Sequence, residues 1–211
     1  ARAMATDAGP VVIADVQDNP GAGGTSDTTG LLRALMAADV PDAVLSMLHD
    51  PQTAGEAHAA GVGAEITVHL GGRFTQYSEP LQVPVIVESI SDGRFRFTGP
   101  MFGGSDADLG PVARLRLRDS GITVVVGSQR AQNADQEMFR VVGIEPRDHA
   151  IVCVKSAVHF MADYGRIASE ILFADVRGAN PCNLASIPYE FIDRTLRLGP
   201  NGPVLTKETQ P

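Results

Sequence analysis

The feature that most limits what this chain can fold into is the order of its first sixty residues. Pro10 to Val16 is a nearly continuous apolar run bounded by turn residues, the pattern of a strand buried on both faces. Leu31, Leu32, Leu35 and Met36 then recur at helical spacing, with Ser26 or Asp27 placed to cap the helix start. Ala43 to Leu48 is a second short apolar run. Asp50-Pro51 supplies an N-cap followed by proline at the first helical position, and Gly61 a stop for the alanine-rich helix between them. Strand, helix, strand, helix is the alternation of an α/β domain.

The middle changes character. Ala64 to Leu70, Val83 to Ile90, Arg94 to Thr98, Val112 to Arg118 and Ile122 to Val126 are five strand candidates separated by Gly, Asp, Ser and Pro. Asp92-Gly93 between two of them is a hairpin signal. Arg114, Arg116 and Arg118 alternate with Leu115 and Leu117, giving an antiparallel strand with one wet and one buried face. In the last third, Ala134 to Val141 predicts a short helix, Ala150 to Val154 a buried strand, Val158 to Ile167 a helix and Glu170 to Asp175 a further strand. The tail from Pro200, rich in Pro, Gly and polar residues, is expected to be loosely ordered. Together these predict a single α/β domain: a mixed sheet with flanking helices and an antiparallel β insertion in the middle.

Composition removes some function classes. Of 211 residues, 17 are Lys or Arg and 25 Asp or Glu, a net charge of -8, and no basic cluster offers itself to nucleic acid or an anionic membrane. A basic stripe at Arg114, Arg116 and Arg118 is opposed by neighbouring acids and by the overall charge. No apolar run approaches bilayer length, and ARAMATDAGP lacks the regions of a signal peptide, so a soluble, cytoplasmic protein is expected. Cys153 lies inside an apolar run and Cys182 follows Pro181; two cysteines make no disulfide framework, and neither receives a role.

Three polar clusters follow predicted strands and would meet if those strands end at one sheet edge. The first is the segment ADVQDNPGAGGTSDTTG from Ala14 to Gly30. Its glycines resemble a phosphate cradle, but Gly24 is followed by Thr25-Ser26 with no Lys, and Ser26 stands where a dinucleotide fingerprint needs Gly or Ala. Asp15, Asp18, Asn19 and Asp27 could instead hold a substrate amine, orient a metal ligand or move a proton. Equally, Asp18-Asn19-Pro20-Gly21 could be only a turn. The second cluster is Lys155, Ser156 and His159, a nucleophile-and-base pair or a set of donors for an anionic group, or else a structural cap. In the third, Gly127 to Gln132, Arg130 could clamp a carboxylate. The five histidines, His49, His58, His69, His149 and His159, contain no His-x-x-x-His pair and no His-Glu motif of the zinc peptidase kind. No metal ligand is assigned within the chain.

The succession PVVIADVQDNPGAGGTSDTT, LLRALMAADVPDAV, HDPQTAGEAHAAGVGAEITVHLGG, SQRAQNADQEMFRVVGIEP and IVCVKSAVHFMADYGRIASEILFADVRGA resembles the C-terminal domain of the MlrC zinc metallopeptidase family, in order, from Gly9 to about Arg194. The resemblance implies a domain over residues 9–198, preceded by the end of a linking helix at 1–8 and followed by a tail at 199–211. It also implies a larger N-terminal domain that carries most of the zinc ligands, and hydrolysis of small peptides or amides at a site shared by the two. Carried over, Asp15, Asp18, Asn19 and Gly21 match the family's Asp-x-x-Asp-Asn-Pro-Gly segment. Arg130 and Gln132 match Ser-x-Arg-x-Gln, and Lys155, Ser156 and His159 match Lys-Ser-x-x-His. The implied roles are catalysis for Asp18, Lys155 and His159, and substrate binding for Asp15, Asn19, Gly21, Arg130, Gln132 and Ser156. Without the N-terminal domain the chain is expected to be inactive. The alternatives are a non-catalytic domain that binds a small anionic ligand through the glycine loop, and an interaction domain; a homo-oligomer fits any of the three.

Overall fold

The computed structural model describes residues 2–6, 9–193, 196–199 and 201–202. In chain order the strands are β1 (Val11–Asp15), β2 (Ala43–His49), β3 (Glu65–Leu70), β4 (Leu81–Ser91), β5 (Arg94–Arg96), β6 (Asp106–Asp108), β7 (Val112–Leu117), β8 (Ile122–Gly127), β9 (Ile151–Val154) and β10 (Glu170–Ala174). The helices are α1 (Gly30–Ala37) and α2 (Pro51–Ala60), with single turns α3 (Glu137–Arg140) and α4 (Met161–Tyr164). All belong to one compact unit over residues 1–180; residues 181–211 group into a second, smaller one.

Eight strands make one mixed sheet in the order β10-β1-β9-β2-β8-β7-β4-β3. Its first five run parallel, and β7, β4 and β3 extend it antiparallel. Neighbouring residues on a strand point to opposite faces, and both faces of β1, β9, β2 and β8 are covered. Leu45, Val124 and Cys153 pack with Leu31, Leu32 and Leu35 of α1 and Ala54 and Ala57 of α2. Their neighbours Val44, Val125 and Val152 pack with Met138, Phe139, Phe160 and Tyr164. Double burial is why these strands are written as unbroken apolar runs. Burial also pushes the Cys153 thiol well above its usual range, which leaves it an inert core residue. On β7, Leu115 and Leu117 face the core while Arg114 and Arg116 lie against Glu88, at 2.8 and 2.7 Å.

Several local expectations are corrected. Neither Ser26 nor Asp27 caps α1: Thr29 holds the N-cap position without a side-chain cap bond. Ser26 Oγ donates to the Met47 carbonyl, and Asp27 accepts from the Arg73 and Phe74 amides, so tertiary partners have claimed both. Asp92-Gly93 is a turn, with Gly93 at φ 77° and the Arg94 amide donating to Asp92 Oδ1. It does not join a hairpin, because β4 pairs with β7 and β5 with β6 in a separate two-stranded sheet. The helix expected over Val158 to Ile167 is reduced to α4 within a series of turns, and that over Ala134 to Val141 to α3. Among the described residues no helix is long and apolar enough to cross a membrane.

Candidate functional site

The parallel strands all deliver their carboxyl ends to one edge of the sheet, which is where open α/β sheets place ligands. β1 ends there on Asp15, β2 on His49, β8 on Gly127 and β9 on Val154, with Lys155 next. The segment 16–29 folds back over this edge, and Asp18 organises it. Its Oδ1 accepts from Thr25 Oγ1 and the Ser26 amide, and its Oδ2 from the amide and hydroxyl of Thr28. Lys155 Nζ rises from β9 into the same place, 2.8 Å from both Asp15 Oδ2 and Asp18 Oδ2, and donates to the Thr28 carbonyl and hydroxyl at 3.0 Å.

This ion triad is sealed: the Lys155 side chain is 1% exposed and those of Asp15 and Asp18 0%. Burial disfavours the Asp18 carboxylate, but the Lys155 charge and the hydrogen bonds from Lys155 and Thr28 outweigh it, so the pKa lies below its ordinary value. Burial likewise disfavours the Lys155 ammonium, and the two carboxylates outweigh it, holding the pKa above its ordinary value. Lys155 is thereby a fixed cation that ties the loop to the sheet.

The backbone of the loop is equally committed. The Gly21 amide donates to Asn19 Oδ1, those of Ala22 and Gly24 to the Asn19 carbonyl, and that of Gly23 to the Pro20 carbonyl. With the Ser26 and Thr28 amides on Asp18, the segment cradles a carboxylate of its own where a phosphate cradle would hold a ligand.

Other polar groups stay accessible. Gly21 is exposed, and a Cβ there would lie 2.5 Å from Gln132 Oε1, so this position needs glycine for Gln132 to approach. Gln132 Nε2 donates to the buried Ser156 Oγ at 3.1 Å and lies 3.2 Å from Nδ1 of the exposed His159. A donating amide at Nδ1 leaves the ring proton of a neutral His159 on Nε2. Exposed Arg130 reaches the Gly24 carbonyl through Nη1 at 3.3 Å. The three clusters therefore meet, but in two layers: Asp15, Asp18, Asn19, Lys155 and Ser156 buried, with Gly21, Arg130, Gln132 and His159 above them.

Sequence reasoning missed the role of Thr28, visible only as one hydroxyl in a run of them, and the segment 71–78. Asp27 Oδ2 accepts the Arg73 and Phe74 amides at 2.8 and 2.6 Å, and Asp50 Oδ2 the Gly71 amide at 2.9 Å. That pins the half-exposed Phe74 ring, stacked on His49 at 5.0 Å, beside the edge.

Zinc needs three or four converging N, O or S ligands. Among the described residues no three His, Cys, Asp or Glu side chains are grouped to hold a metal ion, and the Asp15–Asp18 carboxylate pair at this edge already encloses an ammonium. The donor set of the described residues does not fit zinc.

The sequence pattern of the MlrC C-terminus family matches residues 13–190. Microcystinase C of Sphingomonas sp is 28% identical over 171 residues, which are 81% of this chain and 33% of that protein. The crystal structure of a candidate metallopeptidase from Mesorhizobium sp. BNC1 superposes with a TM-score of 0.78 at 24% identity, over 85% of this chain and 36% of that one. The likeness is one of fold. The chain spans about a third of the length of the proteins it matches.

Proposed function

The chain belongs to the MlrC C-terminus family, and on that premise we propose that it is the C-terminal part of a zinc-dependent, cytoplasmic hydrolase that cleaves amide bonds in small peptides. Its site is shared with an N-terminal part of the same protein, and the zinc is held there, since the described residues here do not make a zinc set. The carrying observation is the two-layer edge: a buried Asp15–Lys155–Asp18 triad fixes the loop, and Gly21, Arg130, Gln132 and His159 are presented above it. Arg130 offers a planar pair of donors to a substrate carboxylate. Gln132, with both Nε2 hydrogens given to Ser156 and His159, fixes the ring, and the Nε2–H of His159 is placed to donate to a carbonyl oxygen and to the charge it gathers as the amide is attacked. Asp18 and Lys155 act from below as positioning residues. The glycine loop gives no support to anion binding, because its amides are already used within the loop.

The test is hydrolysis of small peptides by the full-length protein supplied with zinc. His159→Ala is expected to lower kcat/KM by about 10²-fold or more, the usual effect of removing a donor to a developing oxyanion, and Gln132→Ala to lower it by releasing the ring it holds, in both with the melting temperature unchanged. Wild-type rates in both variants would sink the proposal.

A further inference from the structure

The loop that delivers His159 also carries apolar side chains that the site described above does not use. Val158 is 58% exposed, Met161 38% and Met101 38%. With Pro100, His159 and Ala162 they line an open cavity of about 410 Å³, within the roughly 300–1,000 Å³ of small-molecule sites. His159 belongs to both places, since it is among the residues lining the cavity while its Nδ1 lies 3.2 Å from Gln132 Nε2. A ligand whose amide meets Gln132 and His159 therefore carries its neighbouring substituent over the cavity. No formally charged residue is among those lining it, so it offers no ion pair, and its two methionines are unbranched, polarizable side chains that adapt to different apolar shapes.

We propose that this cavity is a subsite for a bulky apolar side chain, aromatic or branched aliphatic, on the residue next to the amide handled at Gln132 and His159. The assignment rests on the reading of that edge as a peptide site. It is tested by NMR of the chain with methyl-labelled methionine, titrated with N-acetyl-L-phenylalaninamide and with N-acetylglycinamide. The phenylalanine probe is expected to shift the Met101 and Met161 methyls, and the glycine probe to leave them in place. Val158→Asp and Met161→Glu, both at exposed positions, are expected to weaken the phenylalanine probe on the order of tenfold, as loss of apolar contact in a specificity pocket does. Equal responses to the two probes, or shifts confined to Met4 and Met36, would overturn the subsite. So would Met101 and Met161 methyls that in the full-length protein are shifted beforehand and insensitive to the probe, because the cavity would then be an interface with the rest of that protein. Probe binding at Met101 and Met161 together with hydrolysis indifferent to Gln132→Ala and His159→Ala would keep the subsite and remove the proposed function.

Discussion

Lys155 carries the largest consequence of any single side chain. Among the described residues its ammonium is the only cation against the buried Asp15 and Asp18 carboxylates, so Lys155→Met leaves two buried anions unpaired, a change that costs about 3–5 kcal/mol. The pH dependence follows from the two directions. Asp18 lies below its ordinary 3.8, so its share of stability is present above that pH and lost as pH falls through the folded value. Lys155 lies above its ordinary 10.5, so its share is present below that pH and lost as pH rises through the folded value. Between those limits urea midpoints should form a plateau. In Lys155→Met burial acts on the carboxylates without the opposing charge, so the loss measured at pH 7 should exceed that at pH 4. An equal loss at the two pH values would show that the residue acts through packing alone. The sequence named all three members of this triad and could not place them below the surface, because the partners that seal Lys155 are 137 and 140 positions away in the chain.

At the scale of elements, Asp50 serves two structures at once. It is the N-cap of α2, accepting the Thr53 amide at 3.0 Å and the Thr53 hydroxyl at 2.8 Å, and it also holds Gly71 and Arg73. Asp50→Ala should therefore lose a cap, about 1 kcal/mol, and leave the Gly71 amide unpaired, a further ~1–3 kcal/mol. Asp27→Ala should release only the segment carrying Arg73 and Phe74. Hydrogen exchange separates them: protection over residues 71–78 falls in both variants, whereas the first turns of α2 open only in Asp50→Ala. Full protection of α2 in Asp50→Ala would refute the capping role. The cap and the Gly61 stop were legible because their partners lie within a turn of chain. The Asp92-Gly93 turn was equally legible as a turn and misleading as a hairpin, because pairing depends on which strand covers the edge. That strand is β7, beyond the intervening β5–β6 pair. β6, with sequence Asp-Ala-Asp, offers no apolar run to find.

For the whole molecule, the sheet was legible where burial on both faces writes unbroken apolar runs, and the meeting of the polar clusters followed from strands that end at one edge. Which cluster members would be accessible was not, since it depends on side-chain contacts between segments 24 to 140 residues apart. The same arrangement sets the expectation for metal. A zinc ion placed on this edge would have to displace the Lys155 ammonium from between two carboxylates and recruit ligands from exposed His159, which is engaged with Gln132. The chain by itself should therefore retain no stoichiometric zinc after purification with the metal present, while the full-length protein, with ligands supplied from outside this region, should retain it. Elemental analysis of the two, side by side, reads the difference directly. Stoichiometric zinc in the chain alone, lost on Asp15→Asn or His159→Ala, would mean that the triad opens to admit a cation and that the division of labour between the two parts of the protein is wrong. Zinc retained only by the full-length protein, and unaffected by Lys155→Met, would place the ligands elsewhere and leave this edge to bind and orient the substrate.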